Sequence, residues 1–83
     1  MKKKIFYGIE FEVFTDIKID GDFIYPDKAV YFENDVEITG SLEVAYLKCE
    51  ESITVGRSYC IGRWEEVGGY QKVGGYQVVG RYQ

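Results

Sequence analysis

The sequence predicts an all-β fold: a short β-solenoid, or β-helix, of six-residue sides winding through about four coils. Three observations predict it. The C-terminal third reads VGRSYC, IGRWEE, VGGYQK, VGGYQV and VGRYQ, in blocks opening at Val55, Ile61, Val67, Val73 and Val79. Each block starts with a β-branched residue and a glycine, and the last four put Trp64, Tyr70, Tyr76 and Tyr82 in fourth place. Upstream, apolar pairs two residues apart keep the same beat, which places both members on one side of an extended strand. Period-two pairs broken every six residues leave no stripe at i, i+3, i+4, i+7, so a helix cannot use them. Stacked parallel, three such sides make a coil of about 18 residues.

Taken in order, the opening pairs are Ile5/Tyr7, Phe11/Val13, Ile17/Ile19 and Phe23/Tyr25. Gly8, Asp20-Gly21 and Pro26-Asp27 supply the turns near them. The middle pairs are Val30/Phe32, Val36/Ile38, Leu42/Val44, Leu47/Cys49, Ile53/Val55 and Tyr59/Ile61, with Asn34-Asp35 and Thr39-Gly40 among their turns. The last pairs, Glu65/Val67, Gln71/Val73 and Gln77/Val79, keep an apolar second member only. Residues 1–83 thus read as a single β-repeat domain, with degenerate hexads over 5–54 and regular Gly/Tyr hexads over 55–83. At about 4.8 Å per strand the column is about 20 Å long. Glycine at the corners provides either a positive φ or room for close approach. The alternative is an antiparallel β-meander, in which Gly68-Gly69, Gly74-Gly75 and Gly80-Arg81 form two-residue hairpin loops. A hairpin series, however, does not require identical six-residue periods.

Composition narrows the function. Eighty-three residues allow one small domain, and 46% hydrophobic with 17% aromatic content is too rich for a disordered chain. The chain has no histidine, which removes the commonest general base and the commonest metal ligand. No enzyme activity, cofactor or metal is expected. The net charge of −4 is unevenly spread: residues 1–9 carry three lysines, whereas 10–51 carry twelve carboxylates against Lys18, Lys28 and Lys48. An acidic middle disfavours direct nucleic-acid binding and anionic membranes, and favours a basic partner. Cys49 and Cys60 lack the density of a secreted disulfide scaffold and read as reduced thiols of a cytoplasmic protein. Glu10 and Glu12 interrupt the apolar stretch after Lys2-Lys3-Lys4 too early for a signal peptide.

The aliphatic-Gly openings at Val55-Gly56, Ile61-Gly62, Val67-Gly68, Val73-Gly74 and Val79-Gly80 resemble those of β-helical proteins. Hexapeptide-repeat acyltransferases have a left-handed helix of this kind, and bactofilin-like polymer-forming proteins a right-handed one. The resemblance implies solenoid geometry. The acyltransferase activity needs a histidine base that this chain lacks. A shortened bactofilin-like element would be a self-assembling structural protein. In size and charge the chain also broadly resembles small acidic phage-encoded anti-defence proteins, including anti-CRISPR proteins, which would place it in the cytoplasm of a bacterial host.

Two sets of residues are candidates for contact. The acidic set is Asp20, Asp22, Asp27, Glu33, Asp35, Glu37, Glu43, Glu50 and Glu51. On stacked rungs its members can form carboxylate rows that imitate a phosphate backbone and occupy a basic, nucleic-acid-binding surface of a partner protein. The aromatic set is Trp64, Tyr70, Tyr76 and Tyr82, of which Trp64 and Tyr82 lie eighteen residues apart and share a side. One ring is expected to pack structurally and the set to serve contact. The repeat runs to Gln83 with no polar cap in view, so homodimerisation through residues 67–83 is expected. The favoured function is therefore a non-catalytic acidic inhibitor, with the self-assembling structural protein as the alternative.

Overall fold

Ten strands and no helix make up residues 2–80, the part of the chain that the computed structural model describes. β1 (Lys3–Phe6) and β2 (Ile9–Phe14) form an antiparallel hairpin. Long strands β4 (Phe23–Phe32), β6 (Leu42–Cys49) and β8 (Tyr59–Val67) then alternate with short ones, β3 (Lys18–Ile19), β5 (Val36–Ile38), β7 (Ile53–Val55) and β9 (Gln71–Val73), before β10 (Gln77–Val79). One sheet has the order β1-β2-β4-β6-β8-β10 and the other β3-β5-β7-β9. Apart from β1 with β2, every pairing is parallel. This is a β-solenoid of about four coils, and the parallel ladders exclude the meander.

Register sets the coil. Leu42 lies beside Tyr59 and Tyr59 beside Gln77, while Val36 lies beside Ile53 and Ile53 beside Gln71. The long strands each cover two sides of the column, because their ladders slip at Tyr25/Ala29 and again at Val44/Tyr46. The first side therefore runs through Phe23–Tyr25, Leu42–Val44, Tyr59–Ile61 and Gln77–Val79. Glu12–Phe14, Ala29–Phe32, Tyr46–Cys49 and Trp64–Val67 make the second. The short strands make the third.

Alternation then builds the core. Leu42, Val44, Leu47, Cys49, Ile53, Val55, Tyr59 and Ile61 point inward and are at most 1% exposed. At the first coil the interior is filled by rings, Phe14 lying 5.3 Å from Phe23 and 5.7 Å from Phe32. In the last coil half the inward positions turn polar, with Glu65 beside Leu47, Gln71 beside Ile53 and Gln77 beside Tyr59. Tyr59 donates its hydroxyl hydrogen bond to Glu65. That pairing lets a phenol sit fully buried on the column axis.

Corners are held by side chains that reach along the column. Asp22 Oδ1 accepts the N–H of Ser41 at 2.8 Å, and Ser41 Oγ accepts that of Ser58 at 3.3 Å. At another corner Asp35 Oδ1 accepts the Ser52 N–H at 2.9 Å, and Ser52 Oγ accepts that of Tyr70 at 3.0 Å. Each of these residues is fourth in its hexad, the place taken by Tyr70 and Tyr76 in the last coil. Short polar side chains suit the task, since they satisfy backbone donors that a bend would otherwise orphan.

The glycines serve different ends. Only Gly8 and Gly21 have a positive φ, at 79° and 95°. Gly74 instead provides contact distance: a Cβ there would overlap the carbonyl oxygen of Gly56 in the coil beneath.

Two expected pairs at the hairpin are corrected. Ile5 and Tyr7 do not face a core; they are 70% and 71% exposed on the hairpin. Tyr7 and Gly8 have successive positive φ values of 55° and 79°, as a two-residue type I′ turn requires, so the chain reverses there and does not start a rung. Phe11/Val13 is out of phase by one residue. Phe14 stacks on Phe32 and Val13 on Tyr31, so Glu12 and Phe14 take the inward places. Phe11 is nevertheless fully buried, because the hairpin lies across the outside of the second side. There it meets Phe6 at 5.5 Å, Tyr46 at 6.4 Å and Trp64 at 5.9 Å between ring centres.

Candidate functional site: an acidic groove at one corner

The corner leading from the second side to the third gathers most of the acidic set. Glu33 and Glu50 occupy equivalent places on successive rungs, their N–H groups bonding to Phe14 and Phe32 carbonyls at 3.1 and 3.0 Å. Asp35 and Glu51 follow them around the bend, and Glu37 faces outward from β5. Beside them runs a groove of about 590 Å³ whose lining includes Asp35, Glu37, Glu51, Ile17, Thr54 and Tyr70. Among the described residues its lining holds three carboxylates and no lysine or arginine. Lys18 and Lys72 flank it in the outward column Lys18, Glu37, Thr54, Lys72. Glu50 is partly neutralised by Lys48, 3.6 Å away.

The other four acids lie elsewhere. Asp20 and Asp22 belong to the corner before β4, Asp27 to the bend within β4, and Glu43 to the outer face of β6. Asp22 and Asp35 also spend an oxygen on the backbone of the next coil. The nine acids do not form one surface; Glu33, Asp35, Glu37, Glu50 and Glu51 come together at a single corner. Sequence reading missed Ile17 and Thr54 in the groove. Ile17, paired there with Ile19 as a core residue, is 69% exposed. Among the described residues no three His, Cys, Asp or Glu side chains converge as a metal-binding group.

The aromatic set also divides. Trp64 packs 5.6 Å from Tyr7 and 5.9 Å from both Phe11 and Tyr46, which makes it the structural ring of the set. Tyr70 and Tyr76 are each 65% exposed, at the corners before β9 and β10. Tyr82 lies outside the described residues. Of the described members, Tyr70 borders the acidic groove.

Electrostatics beside the groove are set by a half-hidden lysine. Lys48 is 9% exposed, with Glu66 at 3.2 Å, Glu50 at 3.6 Å and the Phe6 ring centre at 5.0 Å. Burial alone would lower its pKa, but the Glu66 hydrogen bond and the two carboxylate charges outweigh it and raise the value. Burial, reinforced by Glu50, pushes the Tyr31 phenol up to about 12. Cys49 is raised by burial and its sulfur lies against the Ser52 and Asn34 carbonyls, so it is a core residue and no nucleophile.

No family model, curated protein or solved structure matches the chain. No helix in the described residues is long and apolar enough to cross a membrane.

Proposed function

We propose that this chain is a non-catalytic binding protein whose rigid column presents the acidic groove to a basic surface of a partner protein, acting as an inhibitor there. The observation that carries the reading is the groove lining, in which Asp35, Glu37 and Glu51 lie together with no lysine or arginine among the described residues, Lys18 and Lys72 standing at its flanks. The corner geometry adds support. Glu33 and Glu50 stand one coil apart, about 4.8 Å along the column, beside Asp35, Glu37 and Glu51. A basic surface would accept this cluster, with Tyr70 and Ile17 adding contact area at the rim. An anti-defence role of the anti-CRISPR type belongs to this reading.

The self-assembling alternative draws on the outer edges of β9 and β10, which no other strand pairs among the described residues. Against it, a second copy stacked there would cover the carboxylate of Glu65, and burying an unpaired charge is costly. At the opposite end the antiparallel β1 occupies the sheet edge, so the second side offers no parallel register for head-to-tail growth.

The test is affinity capture from a bacterial lysate at low and high salt, with the wild-type chain and a Glu37→Gln/Glu51→Gln variant. The expected result is a basic nucleic-acid-binding protein that wild type retains, salt or added DNA releases, and the variant loses. Retention of the same protein by the variant at unchanged strength would overturn the reading.

A further inference from the structure

The hairpin is joined to the column differently from every other strand. Among the described residues β1 hydrogen-bonds only to β2, and β2 meets the column ladder over Glu12–Phe14 alone. Residues 3–11 are otherwise held by side chains. Phe6 lies 4.8 Å from the Tyr31 ring, Phe11 fills the space beside Tyr46 and Trp64, and Lys4 stands 5.5 Å over Tyr31. At the tip, Tyr7 packs its ring on Trp64 and donates its hydroxyl to Glu66 at 3.0 Å. Tyr7 does so from a φ of 55°, a region disfavoured for a residue with a bulky side chain. Lys3, Lys4 and Ile5 are exposed.

We infer that residues 3–11 form a strap that opens as a unit while the column stays folded, with the Tyr7–Glu66 contact as its latch. Opening uncovers Tyr31, Tyr46 and Trp64, which stand together on the outer face of the second side. The strap has the marks of a low-stability segment: few buried side chains, little ladder to the rest, and a strained tip. β4 and β6 beneath it are tied on both flanks, whereas Trp64–Val67 of β8, under its tip, pairs β6 alone among the described residues.

Hydrogen exchange across a series of low denaturant concentrations tests this. Amides of residues 3–11 are expected to exchange at least tenfold faster than those of β6, by one shared opening whose denaturant dependence is clearly smaller than that of the global unfolding through which β6 exchanges. Tyr7→Phe, which keeps the ring and removes the hydroxyl, should speed strap exchange about threefold to tenfold and leave β6 unchanged. It should also raise acrylamide quenching of Trp64, the chain's one tryptophan. Strap and β6 amides that share one rate and one denaturant dependence would overturn the inference, as would a Tyr7→Phe variant that shifts both equally.

Discussion

Gly74 and Gly62 read identically in the repeat but face different surroundings. A Cβ on Gly74 would enter the Gly56 carbonyl, whereas one on Gly62 would rest 3.7 Å from the Ala45 Cα in ordinary contact. Gly74→Ala is expected to cost about 1–3 kcal/mol, as overpacking does, and Gly62→Ala to stay within about 0.5 kcal/mol, both read by chemical denaturation. Carboxylates separate in the same way. Asp35 caps the Ser52 N–H, so Asp35→Ala should lose about 1–2 kcal/mol of stability. Glu37→Gln should change stability by less than about 0.5 kcal/mol and show its effect in partner binding. The capping role was legible in hindsight. Asp22, Asp35, Ser41, Ser52 and Ser58 share the fourth hexad place, yet the conspicuous aromatics at that place later in the chain drew the eye to contact surfaces.

Strands of the column followed from the six-residue beat, because a buried interior forces inward residues to recur at fixed phase. The hairpin did not. Ile5/Tyr7 has the spacing of a solenoid side, and Tyr-Gly lacks the Asn-Gly or Asp-Gly signature that announces a type I′ turn. Only tertiary contacts to Tyr31, Tyr46 and Trp64 decide that this segment folds outward. The groove was half legible: a charge count finds an acidic middle, but which carboxylates share a corner depends on where the ladders slip. The same slips put Phe14, Phe23 and Phe32 together at the first coil. Phe32 is fully buried between the other two, so Phe32→Ala should cost about 3–5 kcal/mol in a denaturation experiment.

For the whole molecule, alkali is the revealing stress. Tyr31, Tyr59 and Lys48 all titrate above their ordinary values in the folded chain, the two phenols chiefly through burial and Lys48 through its carboxylate partners. Below about pH 10 both folded and unfolded chains hold these protons, and the stability is complete. Above it the unfolded chain releases protons that the fold retains, so stability falls as the pH rises toward the folded-state values. Thermal denaturation should therefore give a flat melting temperature from neutral pH to about 9 and a steep drop beyond 10. A profile still flat at pH 11 would mean that the phenols are not buried as described.

The corner ladder also makes the column a cassette. Asp35 and Ser52 stand at the same place in consecutive turns, and Val36 and Ile53 begin equivalent strands. Excising Val36–Ser52 would join Asp35 directly to Ile53, with every downstream hexad still in phase. Such a molecule would be one layer shorter by about 4.8 Å and otherwise built alike. Length in this architecture is thus open to change by deletion or duplication of a whole turn, whereas an indel of a single residue must be absorbed at a bend, as the partner spacings of 19, 17 and 18 residues from Phe23 to Leu42, Tyr59 and Gln77 already are.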